Sequence, residues 1–275
     1  MLNEVKIVEK YSVLMSLYWK EKPEYLVTAI DSMLNQTVKP DEIVIVEDGP
    51  LTEELYNVLD VYGEQIKRIK NEKNLGLGLA LNVGLKHCRN ELVARMDTDD
   101  ISKKDRCEKQ LKLFEKKPYL SIVGAWVDEF YYSPHKIVST RVVPMRSNDI
   151  YNFAKRRSAF NHPVVMYRKS KVLENNGYSN LRRNQDVDLF GRMMFSGCQA
   201  ENIDESLLYF RSNADLAKRR KSWENTKSYI ITIKKLYKIG YSSLLDYIIV
   251  VMAQMGMFIM PIKFQLWFYK VFLRK

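Results

Sequence analysis

The most informative stretch of the sequence is residues 92–100, which read LVARMDTDD. It is an apolar strand that ends abruptly in the three carboxylates Asp97, Asp99 and Asp100. Like charges this close repel strongly once water is partly excluded, so such a cluster is stable mainly when a hard cation such as Mg²⁺ or Mn²⁺ shares its oxygens. The alternative is a solvated turn in which Asp100 caps a helix predicted over residues 101–117.

Upstream of this stretch, short apolar runs alternate with helical patterns. Runs rich in Val and Ile at residues 12–17 and 43–46 predict strands buried on both faces, and Pro23 opens a helix between them. The pattern continues with a helix at 52–62, a strand at 66–69, a helix at 77–87 and the strand at 92–96. This βαβαβαβ order predicts an α/β fold with a mostly parallel central sheet flanked by helices.

Acidic turns follow two of these strands. Ligands bind a parallel sheet at the carboxyl ends of its strands, where Glu47-Asp48-Gly49 and the acidic cluster at 97–100 both fall. Between them, the glycine-containing segment 74–82 precedes the body of a helix. It is not a Rossmann fingerprint, which follows the first strand, and it is not a Walker loop, because no Gly-Lys-Ser/Thr follows.

Composition limits the function classes. A chain of 275 residues with 46% hydrophobic residues can bury a full core, and its formal net charge of +11 needs an anionic partner. The basic clusters lack interleaved aromatics and any helix-turn-helix or zinc-finger signature, so no nucleic-acid partner is expected. Three scattered cysteines and three scattered histidines argue against a disulfide framework and a zinc site. The first ten residues lack the apolar segment of a signal peptide, which predicts a cytoplasmic location.

A series of short motifs follows in a fixed order along residues 11–211. The motifs are SVLMS (12–16), IVIVEDG (43–49), NLG (74–76), LNVGL (81–85), ARMDTDD (94–100), Asp105-Arg106 with Gln110, IVG (122–124), His162-Pro163, Gly177-Tyr178, and QDVDL (185–189) with Arg192. This order resembles the family 2 glycosyltransferases with the GT-A fold, and it is most similar to bacterial enzymes that build surface polysaccharides. An ordered set is far more specific than any one motif.

The resemblance implies a role for several residues of the donor half. Asp48 matches the acid that hydrogen-bonds the nucleotide base, usually uracil, and Glu47 stands where many members have another Asp. Asp97 and Asp99 match the metal motif, with Asp97 expected near the ribose and Asp99 on the Mn²⁺ or Mg²⁺ that bridges the diphosphate. Asn82 matches the Asn of the family's Asn-Xaa-Gly and is expected at the nucleotide.

Asp186 matches the family acid that removes the proton from the acceptor hydroxyl. A sugar hydroxyl is a poor nucleophile, and a carboxylate within hydrogen-bond reach lets its proton leave as the new bond forms. Attack opposite the nucleotide inverts the anomeric centre without a covalent intermediate. The alternative for Asp186 is a helix N-cap. His162, Tyr178 and Arg192 are expected contacts of the acceptor or the phosphates, and Arg95 is expected to form a structural ion pair under the site.

We expect a GT-A domain over residues 1–212, with a nucleotide-sugar half at 11–100 and an acceptor half at 101–212, and a C-terminal helical segment at 213–275. Residues 244–260 are nearly all apolar but fall short of the about 20 residues that a transmembrane helix needs. Residues 262–275 mix aromatics with cations, which suits a helix in the interface of an anionic membrane. The alternative is a helical hairpin that packs on the domain or on a second subunit as a homodimer.

The function implied by the resemblance is a metal-dependent, inverting transfer of a sugar from a nucleotide sugar, usually UDP-linked, to a lipid-linked glycan. The reaction is expected at the inner face of a bacterial membrane. A sugar nucleotidyltransferase is the first alternative, but Tyr18-Trp19-Lys20 stands where its glycine-rich activation loop would follow strand one. A basic nucleic-acid-binding protein would explain the charge but not the carboxylates at the strand ends.

Overall fold

The structure, a computed structural model, describes residues 9–212 and 222–260. Its strands are β1 (Tyr11–Leu17), β2 (Glu42–Glu47), β3 (Lys67–Lys70), β4 (Leu92–Arg95), β5 (Ile101–Ser102), β6 (Leu120–Phe130), β7 (Ile137–Arg141), β8 (Met166–Arg168) and β9 (Gln199–Arg211). Its helices are α1 (Pro23–Leu34), α2 (Glu53–Tyr62), α3 (Leu77–His87), α4 (Arg106–Lys116), α5 (Ser147–Ala154), α6 (Lys169–Glu174), α7 (Gln185–Phe195), α8 (Trp223–Lys238) and α9 (Leu244–Ile259).

The strands form one sheet in the order β3-β2-β1-β4-β8-β6-β9-β5, and β7 pairs with β6 beside this path. The first four strands are parallel to one another, which confirms the α/β fold predicted from the alternation of strands and helices. β8 then enters antiparallel between β4 and β6. The sheet is therefore mixed, and β8 connects its parallel half to the remaining strands.

The helix predicted over residues 101–117 is wrong at its start. Ile101 and Ser102 form β5, which pairs antiparallel with Tyr209 and Leu208 of β9, and α4 begins only at Arg106. Asp100 is therefore not a helix cap. The pairing with β9 joins segments more than 100 residues apart in sequence, so local periodicity does not reveal it.

The C-terminal helices pack against the second half of the domain through α8. Leu236 lies against Gly191 of α7, where an added Cβ would approach Leu236 Cδ1 to 2.7 Å. Ile233 and Leu236 belong to the same buried cluster as Leu189. One side of α9 is exposed along most of the length of the helix. Residues 261–275, which contain the run of aromatic and basic residues, lie outside the described residues. No helix within the described ranges is long and apolar enough to cross a membrane.

Candidate active site

The acidic turn follows β4 and brings three carboxylates together. The oxygens of Asp97, Asp99 and Asp100 lie within 4.8 Å of one another. One oxygen of the buried Asp100 accepts a hydrogen bond from the backbone N–H of Arg211 at 2.8 Å, and the other has no partner among the described residues. Burial, followed by the neighbouring Asp97 charge, raises the pKa of Asp99 to about 7. A crowded set of hard oxygen donors with one oxygen unsatisfied fits a divalent cation.

Glu21 is a further carboxylate at this edge, and the sequence reasoning missed it. It lies in the loop after β1 and accepts a hydrogen bond from the Thr98 hydroxyl at 2.8 Å. Burial raises the pKa of Glu21, and the charge of Asp97 adds to the shift. Its position after the carboxyl end of a parallel strand was the available signal.

Asp48 organises the loop that precedes α3. Its two carboxylate oxygens accept hydrogen bonds from the backbone N–H groups of Leu75 and Gly76, at 2.8 and 3.0 Å. Its neighbour Glu47 points elsewhere, because Arg68 pairs with it at 2.6 Å. Asp48 thus lies at the edge of the sheet where the parallel strands end, whereas Glu47 is held in an internal ion pair. Their contacts with a nucleotide base stay predictions.

Asn82 and Tyr178 are held by contacts within the protein. The Asn82 side chain bonds to the backbone of Tyr178, whose hydroxyl lies 2.9 Å from His162 Nε2. Tyr178 is only 2% exposed, so it offers no open ring for a sugar to stack on. Arg192 pairs with Asp188 and donates to the Gly177 carbonyl at 2.8 Å. The expected acceptor or phosphate contacts of Tyr178 and Arg192 therefore have no geometric support.

A cavity of about 400 Å³ connects the two halves of the predicted site. Asp97 lines it from the acidic turn and Asp186 from the first turn of α7; Arg95, Arg141, Arg157, His162 and Gln185 are also among its lining residues. Arg141 and Arg157 were not predicted as site residues, since nothing local in their sequence indicates a shared cavity. The acidic turn and Asp186 therefore meet in one space.

Asp186 has the environment of a general base. Helix α7 begins at Gln185, and Asn184, which has a left-handed backbone, is its N-cap residue, so Asp186 is not the cap. Burial raises the pKa of Asp186, and the nearby backbone of Val187 offsets only part of this effect. A raised pKa makes a carboxylate a better proton acceptor near neutral pH.

Arg95 and His162 form the buried side of the cavity. Arg95 pairs with Asp97, which confirms the predicted ion pair, and its Nε and Nη1 atoms have no partner among the residues described. Burial and the Arg95 charge lower the pKa of His162 well below its ordinary value, so its imidazole is neutral at neutral pH. His162 thus presents a neutral hydrogen-bonding ring rather than a cation.

Comparison with known proteins identifies the family. The family model described as Glycosyl transferase family 2 matches residues 12–177, which is more than half of the chain. The chain belongs to glycosyl transferase family 2. In this glycosyltransferase the acidic turn lies within the matched region, whereas Asp186 and the C-terminal helices follow it.

Two bacterial relatives match most of the length of this glycosyltransferase. It is 36% identical over 268 residues to the Escherichia coli UDP-Gal:alpha-D-GlcNAc-diphosphoundecaprenol beta-1,3-galactosyltransferase, with 97% of each chain covered. It is 40% identical over 222 residues to the amylovoran biosynthesis glycosyltransferase AmsE of Erwinia amylovora, covering 80% of this chain and 83% of that one.

Solved structures share the fold of this glycosyltransferase. Residues 1–349 of TarS from S. aureus, in complex with UDP, match with a TM-score of 0.62 at 16% identity, covering 96% of this chain and 72% of that one. The mannosyltransferase PcManGT from Pyrobaculum calidifontis, in complex with GDP-Man and Mn²⁺, matches with a TM-score of 0.65 at 14% identity, covering 90% and 69%. At these identities the likeness shows the GT-A fold alone.

Proposed function

We propose that this glycosyltransferase transfers a sugar from a UDP-sugar to a lipid-linked glycan, with inversion at the anomeric carbon. The observation that carries the proposal is the cavity lined by Asp97 on the donor side and by Asp186 on the other side. A transfer that inverts needs the leaving group and the base on opposite sides of the reacting carbon. The shared cavity supports this proposal, because it brings both carboxylates to one space.

The acidic turn is the basis of the proposed donor site. Asp97 and Asp99 would hold a divalent cation, Mn²⁺ or Mg²⁺. It would offset both the burial and the repulsion from Asp97 that raise the pKa of Asp99. When bound, the metal neutralises the negative charge that develops on the departing diphosphate. Asp48 fixes the loop at residues 71–76 beside the nucleotide position. A uridine donor is supported by the UDP-Gal in the name of the Escherichia coli relative.

Asp186 is the basis of the proposed acceptor site. Its carboxylate lies at the wall of the cavity and is held at the N-terminus of α7. There it would accept the proton of the acceptor hydroxyl while the new glycosidic bond forms, and no covalent intermediate with the enzyme is needed. The neutral His162 lines the same space and would orient an acceptor hydroxyl without adding charge.

A lipid-linked acceptor is supported by the diphosphoundecaprenol in the name of the Escherichia coli relative. The exposed face of α9 is consistent with a lipid-linked acceptor, because its apolar side chains Leu245, Met252 and Ile259 are 63%, 61% and 74% exposed. We assign this face to an anionic membrane, since the formal net charge of +11 favours anionic headgroups. The enzyme would then work at the inner face of the cell membrane.

The test is a transfer assay on the purified full chain. α-Linked UDP-hexoses are incubated with Mn²⁺ and a short-chain polyprenyl-diphosphate GlcNAc, and the product linkage is determined by proton NMR. We expect a β-linked product and free UDP. An α-linked product would exclude inversion, and pyrophosphate release from UTP with a sugar phosphate would identify a nucleotidyltransferase instead.

A further inference from the structure

Arg141 and Arg157 lie where an anionic part of the acceptor would pass, and this inference rests on the function proposed above. We propose that these two arginines form a subsite that binds the phosphate nearest the sugar of a lipid-diphosphate acceptor. Arg141 ends β7 and Arg157 follows α5, and both line the cavity that also contains Asp186. Neither comes from the four parallel strands that carry the donor edge.

Both guanidinium groups have hydrogen-bonding capacity left for a ligand. Arg141 pairs with Glu129 at 2.7 Å through Nη2, but its buried Nε has no partner among the described residues. Arg157 is exposed, and its guanidinium lies 4.7 Å from the centre of the Phe153 ring. Buried N–H groups without an acceptor are costly, and phosphate oxygens match the planar fork of a guanidinium. The subsite therefore favours a phosphate over a neutral group.

The segment 155–157 connects this subsite to the face assigned to the membrane. Arg156 pairs with Asp246 in the first turn of α9, and Ser242, just before that helix, donates to the Lys155 carbonyl at 2.7 Å. Arg157, the next residue, reaches the cavity. The exposed apolar side chains of α9 begin beside Asp246, at Leu244 and Leu245. A lipid diphosphate rising from a bilayer under α9 would therefore meet Arg157 first.

The two arginines and the acidic turn come from different elements of the fold. The donor diphosphate is assigned to the acidic turn, where Asp97 and Asp99 would hold a cation. Arg95 and Arg211 already place guanidinium groups at that turn, through the ion pair with Asp97 and a hydrogen bond to the Asp99 carbonyl. Arg141 and Arg157 are contributed by β7 and by the segment after α5, so they suit a second anion.

The test compares two acceptors that differ only in charge. GlcNAc on a short polyprenyl diphosphate is compared with GlcNAc on a neutral alkyl chain of equal length, using wild type, Arg157→Gln and Arg141→Gln. We expect kcat/KM for the diphosphate acceptor to fall at least about tenfold in each variant, and that for the neutral acceptor to change less than about twofold. Arg146→Gln removes the same charge from an exposed position outside the cavity lining and serves as the matched control.

Equal losses on both acceptors, or no preference of the wild type for the diphosphate, would overturn the proposal. So would weakened UDP binding in Arg157→Gln, because it would place the cations at the donor. Binding of farnesyl diphosphate and of farnesol, measured by calorimetry, tests the subsite without transfer. Tighter binding of the diphosphate that Arg157→Gln abolishes supports the subsite even if no sugar is transferred, and equal binding of both lipids rejects it.

Discussion

The side chain of Asn82 and the backbone of Tyr178 exchange two hydrogen bonds. Asn82 Nδ2 donates to the Tyr178 carbonyl at 2.7 Å, and the Tyr178 N–H donates to Asn82 Oδ1 at 2.8 Å. Gly177, with φ of +60°, leaves room for this exchange, since an added Cβ would lie 2.5 Å from Asn82 Oδ1. Helix α3 of the donor half is thereby fixed to the segment that leads to Asp186, so the two halves of the site are positioned together.

Removing this connection should lower both stability and turnover. In Asn82→Ala, two partly buried backbone groups of Tyr178 lose their partners, which we expect to reduce the free energy of unfolding by about 1–3 kcal/mol. Urea unfolding measures that change, and kcat should fall because Asp186 is less well held. Asn152→Ala, on an exposed face of α5, is the control. Unchanged stability and kcat in Asn82→Ala would contradict the positioning role.

Loss of the base should affect chemistry and not donor binding. We expect Asp186→Asn to lower kcat by about 10²–10⁴-fold, with UDP affinity unchanged, because the amide cannot accept the acceptor proton. Asp149→Asn, which also alters an acid in the first turn of a helix, should be active. Steady-state kinetics with calorimetry of UDP separates the two effects. An active Asp186→Asn enzyme would mean that another group is the base.

Activity should also report the raised pKa of Asp186. Burial disfavours its charged form, so the base is lost as pH falls through a pKa above that of an ordinary aspartate. We therefore expect the acidic limb of the kcat profile to lie above the range of a solvent-exposed carboxyl. A limb at the ordinary aspartate value would show that the titrating group is not buried.

Metal should stabilise the protein more at neutral than at acidic pH. The pKa of Asp99 is about 7 in the metal-free fold, far above its ordinary value. The folded state therefore binds more protons than the unfolded state between these values, so this group lowers stability as pH rises toward 7. A cation removes the penalty. The increase of Tm on adding Mn²⁺ should be larger at about pH 7.5 than at about pH 5.5, and small in Asp99→Asn. Equal increases at both pH values would contradict a metal site at Asp99.

The exposed face of α9 should control vesicle binding. We expect Leu245→Glu combined with Ile248→Glu to reduce sedimentation with phosphatidylglycerol vesicles by at least about tenfold, because both side chains are exposed on the same side of α9. Val61→Glu places a charge at an exposed apolar residue of α2 and is the control. Unchanged vesicle binding, or a change of oligomeric state measured by light scattering, would assign the face to a second copy of the chain.

The parallel half of the fold could be predicted from the sequence, because each of its strands and helices is defined by a short run of neighbouring residues. Each of the strands β1, β2 and β4 is an apolar run, and each is followed by an acidic turn or a helical pattern. The same locality explains why Asp97, Asp99 and Asp186 could be proposed from motifs. The position of Arg95 beneath Asp97 was predictable for the same reason.

The second half depends on contacts between distant segments. β5 exists because residues 101–102 pair with β9, and Asp100 is buried under the backbone of Arg211. Arg141 and Arg157 share a cavity with Asp186 only after β6, β7 and α5 are packed. Such pairings leave no periodic signal, so neither the start of α4 nor the cationic side of the cavity could be predicted.

The most direct test of the central claim is calorimetric titration of the purified protein with UDP, GDP, CDP and dTDP, with Mn²⁺ and with chelator. We expect UDP to bind with Mn²⁺, and chelator or Asp99→Asn to weaken this binding at least about tenfold. Asp105→Asn, at an exposed aspartate paired with Lys109, should bind like wild type. Binding of no nucleotide under any metal condition, or UDP binding that is indifferent to chelator and to Asp99→Asn, would contradict a metal-dependent donor site at the acidic turn.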